Sequence, residues 1–323
     1  MHRRTFLSSI GLAAPAALAM NLSAGEAQQQ APAGAPAAPV TSGRLKQGVT
    51  SQGLLGGNNR PFEDRCKLAV ALGIKSFDFA TDPTWWPVMK QYGLIGSLYR
   101  LPRPAMPGAP TPPPTAGRGT LPPTPPGWEE IGHKEAQGDY LKACHVGIDT
   151  CAANGFPSMI ILGGQRSATV TPEQGADNAV EWCNQIKAHA EDKGVNLVME
   201  FINSKGIQGG IGTFFDNMAW GVNVMKRVNS PRVKILYDCF HAQLMEGNIV
   251  STIRDNIQYI AHFHVGGVPG RHTIDGTQEL NYHFVAQAIA DLNYQGYICH
   301  EWGAAPGTDP VTELTKAIQI LTV

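Results

Sequence analysis

The stretch VKILYDCFHAQ, residues 233–243, runs from a near-continuous apolar segment into an aspartate and then a histidine. A strand with one wet face alternates apolar and polar side chains. A strand covered on both faces does not, and that second pattern belongs to parallel sheets. Asp238 would then stand at the C-terminal end of a buried parallel strand, with a helix following it.

The same pattern recurs along the chain. RLKQGVT, IKSFDFA, LIGSLY, SMIILGG, VNLVMEF, IAHFHVGG and GYICHEW read as further strands. Longer helical patterns follow: Phe62 to Leu72, one from near Thr84, Pro172 to Lys193, Ile211 to Val228, Asn248 to Gln258, Tyr282 to Leu292 and Asp309 to Leu321. Eight strand–helix units in a chain of this length predict an α/β fold of one domain, a (β/α)8 TIM barrel over residues 44–323. A doubly wound open sheet is the alternative, disfavoured because no glycine-rich phosphate loop follows the first strand.

Three segments fall outside this rhythm. MHRRTFLSSIGLAAPAALAM places Arg3 and Arg4 before a short apolar run, the layout of a twin-arginine signal peptide over residues 1–27. That run is short and broken by Pro15, so export to the periplasm is expected rather than a stable membrane span. Residues 28–43 read as a disordered Pro/Ala linker. LPRPAMPGAPTPPPTAGRGTLPPTPPG, residues 101–127, is too rich in proline for helix or strand. It is expected as an insertion after the third strand, on the active-site face of the barrel, and a lid, a homo-oligomer contact and a disordered excursion without a role are its open readings. The six cysteines form no C-x-x-C pair and are expected as buried free thiols. A net charge of −1 gives no electrostatic footprint for nucleic acid.

Four strands in sequence end in a residue able to bind a metal: Glu200, Asp238, His264 and Glu301. Barrel closure would bring them to one rim, where crowded carboxylates need a cation to stay ionised. Three carboxylates and one imidazole suit one divalent ion such as Mn²⁺, Mg²⁺, Co²⁺ or Zn²⁺. A strand-end acid serves more commonly as a helix cap or ion-pair partner, and it is the joint arrangement that favours ligation. Of the two histidines in HFH, His264 is taken as the ligand because it lies nearer the strand end, and His262 as a supporting or core residue. His241 could hydrogen-bond a substrate oxygen, and Arg271 could grip carboxylate or hydroxyl groups through its planar fork. Arg166, His133 and Lys205 are weaker candidates.

MEFIN, YDCFHAQ, HFHVGGVPGRH and HEWG resemble the xylose isomerase-like TIM-barrel superfamily, and HFHVGGVPGRHTIDGTQELNY is especially similar to the corresponding run of hydroxypyruvate isomerases. The resemblance covers about Arg44 to Val323. It implies one divalent metal held at Glu200, Asp238, His264 and Glu301, the two glutamates as acid/base pair, and His241 and Arg271 on the substrate. The expected function is an aldose–ketose isomerase acting through an enediolate on a small sugar or hydroxy-carbonyl compound. Many hydroxypyruvate isomerases carry glutamine where His264 stands, whereas ketose 3-epimerases of the superfamily carry histidine, so epimerisation is the alternative chemistry. A non-catalytic sugar-binding barrel is the alternative of another class. The superfamily's apurinic nucleases would need histidines at the second and third strand ends, where this chain reads SFDFA and GSLYR.

Overall fold

Lys46–Thr50 (β1), Ser76–Asp78 (β2), Ile95–Leu98 (β3), Ser158–Ile161 (β4), Asn196–Glu200 (β5), Val233–Asp238 (β6), Ile260–Val265 (β7) and Tyr297–His300 (β8) pair in the order β3-β2-β1-β8-β7-β6-β5-β4, every pair parallel. Tyr99, just past β3, closes the ring: its N–H donates to Ser158 O and its carbonyl accepts from Ile160 N, each at 2.9 Å. The expected (β/α)8 barrel is therefore what the chain forms. The computed structural model describes residues 43–50, 53–104, 125–208 and 210–323. The proposed signal peptide, most of the linker and the middle of the proline-rich insertion lie outside the described residues.

The helices are Phe62–Ala71 (α1), Trp85–Gln91 (α2), Asp139–Asn154 (α3), Pro172–Lys193 (α4), Met218–Val228 (α5), Cys239–Met245 (α6), Ile249–Asn256 (α7), Tyr282–Asp291 (α8) and Pro310–Leu321 (α9). The ends of α4 show how local chemistry sets them. Thr171 accepts from Gln174 N, Gln174 Oε1 accepts from Thr171 N, and Pro172 fills the first helical position. Gly194, at φ 71°, ends the helix in the left-handed region. The helix expected from Ile211 instead begins at Met218, where Asn217 Oδ1 accepts from Trp220 N at 2.9 Å. The residues before it form a loop whose antiparallel bridges are Lys205 to Ile211 and Gln165 to Thr213. Their apolar spacing imitates a helix, but they are committed to those bridges.

One large apolar core fills the space between strands and helices. The barrel interior is divided. Leu98, Ile160, Val198 and Leu236 make a small apolar layer under one side. The other side holds Ser76, Asp78, Ser97, His262, His264 and Cys299, all at most 1% exposed. Gly48 of β1 lies against this polar half, and a Cβ there would come within 2.3 Å of Ser76 Oγ and 2.4 Å of Cys299 Sγ. The six cysteines are free thiols buried in the fold, as expected. Among the described residues no helix is long and apolar enough to cross a membrane.

Candidate metal centre

Parity carries the ligands inward. Side chains two apart on a strand share a face, so Glu200 lies above Val198 and Asp238 above Leu236, on the interior side. Closure brings these two beside His264 of β7 and Glu301, the residue after β8. One ligand atom from each of the four lies within 4.8 Å of the others. His264 Nδ1 is 2.6 Å from Glu301 Oε2, 3.7 Å from Glu200 Oε1 and 4.0 Å from Asp238 Oδ2.

Asp238 is both things its sequence position allowed. Oδ1 caps α6, accepting from Phe240 N at 2.8 Å and His241 N at 3.3 Å. Oδ2 faces the cluster and accepts from Arg271 Nη2. Burial opposes ionisation of this carboxyl, but Arg271, then His241 and His264, outweigh it and hold it below the usual range.

Arg271 reaches the cluster because the chain folds back after β7. Gly270 has φ 84° and Arg271 itself φ 54°, both left-handed. Gly266 leaves room for the return, since a Cβ there would meet Arg271 Cγ at 3.0 Å and Glu301 O at 3.2 Å. The turn thus uses left-handed backbone at Gly270 and Arg271, while Gly266 and Gly267 supply space; a Cβ on Gly267 would lie 2.4 Å from Thr273 O. Arg271 Nη2 donates to Glu301 Oε2 at 2.7 Å and Nε to Glu301 O at 2.8 Å. Nη1 lies 3.2 Å from His241 Nε2 and donates to Gln208 O at 3.3 Å. Asn203 Nδ2, 2.7 Å from His241 Nδ1, steadies that ring from the β5 side.

All six residues singled out in the sequence therefore meet at one rim, and all are buried. The weaker candidates do other work: Arg166 pairs with Asp216 at 2.7 Å, and His133 Nε2 contacts Gln165 O at 2.6 Å. His262 turns away from the cluster, to Asp78 Oδ2 at 2.8 Å. Asp78 is absent from the sequence candidates, although it ends β2 in SFDFA and obeys the same strand-end logic. Its Oδ2 also accepts from His264 Nε2 at 2.9 Å. Burial opposes ionisation of Asp78, but the two histidines bring its carboxyl well below the usual range.

The donor set fits a divalent cation. His264 Nδ1 is fully buried and lacks a hydrogen-bond partner, with three carboxylates around it. Burial opposes protonation of this ring, but the Asp78 and Glu200 carboxylates prevail and raise its affinity for a proton. A site that attracts a proton onto a buried nitrogen among carboxylates is a site short of positive charge. Arg271 offsets one carboxylate, and a doubly charged ion would offset the other two. A second group, Asp78, His262 and Cys299, is close enough to suggest ligation. Its carboxylate is already engaged by two histidines and by Ser97 Oγ at 2.5 Å. Burial also pushes the Cys299 thiol well up, away from the thiolate a metal would need.

A family model described as xylose isomerase-like TIM barrel matches residues 123–322. Among curated proteins, the chain is similar to a 2-oxo-tetronate isomerase of Cupriavidus necator, 32% identical over 119 residues, covering 37% of this chain and 44% of that protein. It is also similar to a putative hydroxypyruvate isomerase of Danio rerio, 35% identical over 86 residues, covering 27% of this chain and 31% of that one. The matches thus span less than half the length of these two relatives. Among solved structures, one titled AP endonuclease, family 2 from Brucella melitensis superposes with a TM-score of 0.63 at 19% identity, covering 83% of this chain and 95% of that chain. At that identity the likeness concerns the fold.

Proposed function

This chain belongs to the xylose isomerase-like TIM-barrel family, and we propose that it is a divalent-metal-dependent enzyme that shifts a proton between neighbouring carbons of a small hydroxy-carbonyl compound. The isomerisation is of the aldose–ketose kind, hydroxypyruvate being the model substrate. One observation carries the reading: Glu200, Asp238, His264 and Glu301 offer donor atoms within 4.8 Å of one another at the C-terminal ends of adjacent strands, where barrels of this type keep their chemistry. Relatives with isomerase names support it.

Glu200, Asp238, His264 and Glu301 would hold the ion. When bound, a divalent cation supplies positive charge beside the substrate's carbonyl and neighbouring hydroxyl oxygens. One of Glu200 and Glu301 takes the proton from the carbon next to the carbonyl, leaving an enediolate. The other returns a proton to the former carbonyl carbon, and the hydroxyl proton passes from the neighbouring oxygen to the former carbonyl oxygen, completing isomerisation. Arg271 is held by Glu301 and Asp238 through Nε and Nη2, and its Nη1, exchanging its longer contacts with Gln208 O and His241 Nε2, turns to a substrate oxygen together with His241. Delivery of the proton to the opposite face of the same carbon would give epimerisation instead. The histidine at 264, the residue that ketose 3-epimerases of the superfamily carry there, favours this as the second reading.

Glu200→Gln and Glu301→Gln should each lower turnover by about 10²–10⁴-fold while leaving the circular dichroism spectrum unchanged. EDTA should abolish activity and added Mn²⁺ or Co²⁺ restore it. Either variant at near-normal rate, or a rate indifferent to chelation, contradicts the assignment. Product analysis in D₂O with hydroxypyruvate and a ketose panel separates isomerisation from epimerisation.

A further inference from the structure

Beneath the four ligand-type residues, Asp78 reaches across the interior from β2 to β7 and receives two histidines on one oxygen, His262 Nε2 at 2.8 Å and His264 Nε2 at 2.9 Å. Ser97 Oγ donates to its other oxygen at 2.5 Å and lies 2.7 Å from Ser76 Oγ. Asp78, Ser97, Ser76 and His264 are 0% exposed and His262 1%. The two imidazole rings are 5.2 Å apart and nearly perpendicular, at 85°.

We infer that Asp78 is the positioning residue of the metal site: it fixes the His264 ring with its proton on Nε2 and its Nδ1 lone pair toward Glu200, Asp238 and Glu301, and His262 clamps the carboxylate in place. The inference rests on the reading of those residues as metal ligands. An ionised carboxylate can only accept, so the ring nitrogen facing Asp78 must carry the hydrogen and the other nitrogen is left as the donor. A free imidazole could present either nitrogen to an ion, and a ring free to turn could present neither. Asp78 cannot turn to follow one ring without leaving the other unsatisfied in a fully buried place. A hydrogen-bonded carboxylate behind a ligating histidine also makes that ring a stronger donor. His262, which the acid/base chemistry does not use, thereby has a function. So does the polar half of the barrel interior, where Ser76 and Ser97 support the far oxygen of the same carboxylate.

The test is calorimetric titration of metal-stripped protein with Co²⁺, for wild type, Asp78→Ala and Asp78→Asn. Asp78→Ala removes the acceptor and should weaken Co²⁺ binding by about 10–100-fold. Asp78→Asn keeps an oxygen but loses the charge and should fall between it and wild type. The visible Co²⁺ spectrum should change in Asp78→Ala even where excess metal restores full loading. Equal affinity and an identical spectrum in Asp78→Ala would overturn the inference, even if its thermal midpoint drops. Where the variant does not fold, nitrogen NMR of histidine-labelled, Zn²⁺-loaded wild type decides: the ring protons of His262 and His264 should sit on Nε2, and a proton on Nδ1 of His264 overturns the inference. Wild type that binds no Co²⁺ at all would sink the metal reading as well, whereas wild type that binds normally beside an unaffected Asp78→Ala sinks this inference alone.

Discussion

Arg271 is held at φ 54°, in a region that costs an ordinary side chain about 1–2 kcal/mol. Its contacts offset that cost. The guanidinium meets Asp238, Glu301 and Gln208 at once and lies over the Phe240 ring at 5.2 Å. A lysine would retain the charge but not the planar fork that reaches two carboxylates with Nη2 while Nη1 faces His241 and Gln208. Arg271→Lys should therefore raise KM more than it lowers kcat, with kcat/KM down about tenfold to a hundredfold, as for loss of one or two charge-assisted hydrogen bonds. An unchanged KM would remove Arg271 from substrate binding. At this scale much was legible. Asp238 and His264 were readable because the residue type and the strand end coincide. The division of labour between His262 and His264 was not, since adjacent same-face histidines look alike until the carboxylate on β2 is located in space.

At the scale of elements, the join between β3 and the segment leading to α3 is stitched by charge. Arg100 donates through Nε and Nη2 to both oxygens of Glu129, at 2.7 and 2.8 Å, and Arg103 Nη2 is 2.5 Å from Oε2. Glu129 is 5% exposed. Burial opposes its ionisation, but Arg100 and then Arg103 prevail and hold its carboxyl below the ordinary 4.5. A carboxyl whose value falls on folding stabilises the fold above its unfolded value, and that contribution is lost as pH falls through the folded one. Glu129→Gln should thus cost about 1–3 kcal/mol at pH 7, leaving two guanidinium groups without their partner. The gap between the variant and wild type should close below about pH 4.5. Denaturant unfolding across pH 3–7 checks this, and a gap that stays constant over that range contradicts it. The sequence could not reveal this pairing, because Glu129 lies across the proline-rich insertion from its partners and the meeting is set by where the insertion begins and ends. The expected start of α5 at Ile211 differs from the observed Met218 for a local reason. Phe214 and Phe215 supply helix-like spacing, but Asn217 supplies the cap.

For the whole molecule, the strands were legible because most, such as SMII, VKILYD and IAHFHV, are short and largely apolar, and the parallel order followed from the helices between them. What the strands could not disclose was that one side of the interior is apolar, from Leu98 to Leu236, and the other polar, from Ser76 to Cys299. Strand parity says which residues face inward; only closure says which of them meet. The rim above that divided interior gathers Glu200, Asp238, His264 and Glu301, and the proposed chemistry stands on their sharing a single ion. Diffraction from crystals soaked in Mn²⁺ or Co²⁺, recorded at the metal's absorption edge, tests that most directly. The account predicts one anomalous peak within coordination distance of all four side chains, with His264 bound through Nδ1. A map with no peak there, or with its metal held elsewhere in the barrel, would contradict it.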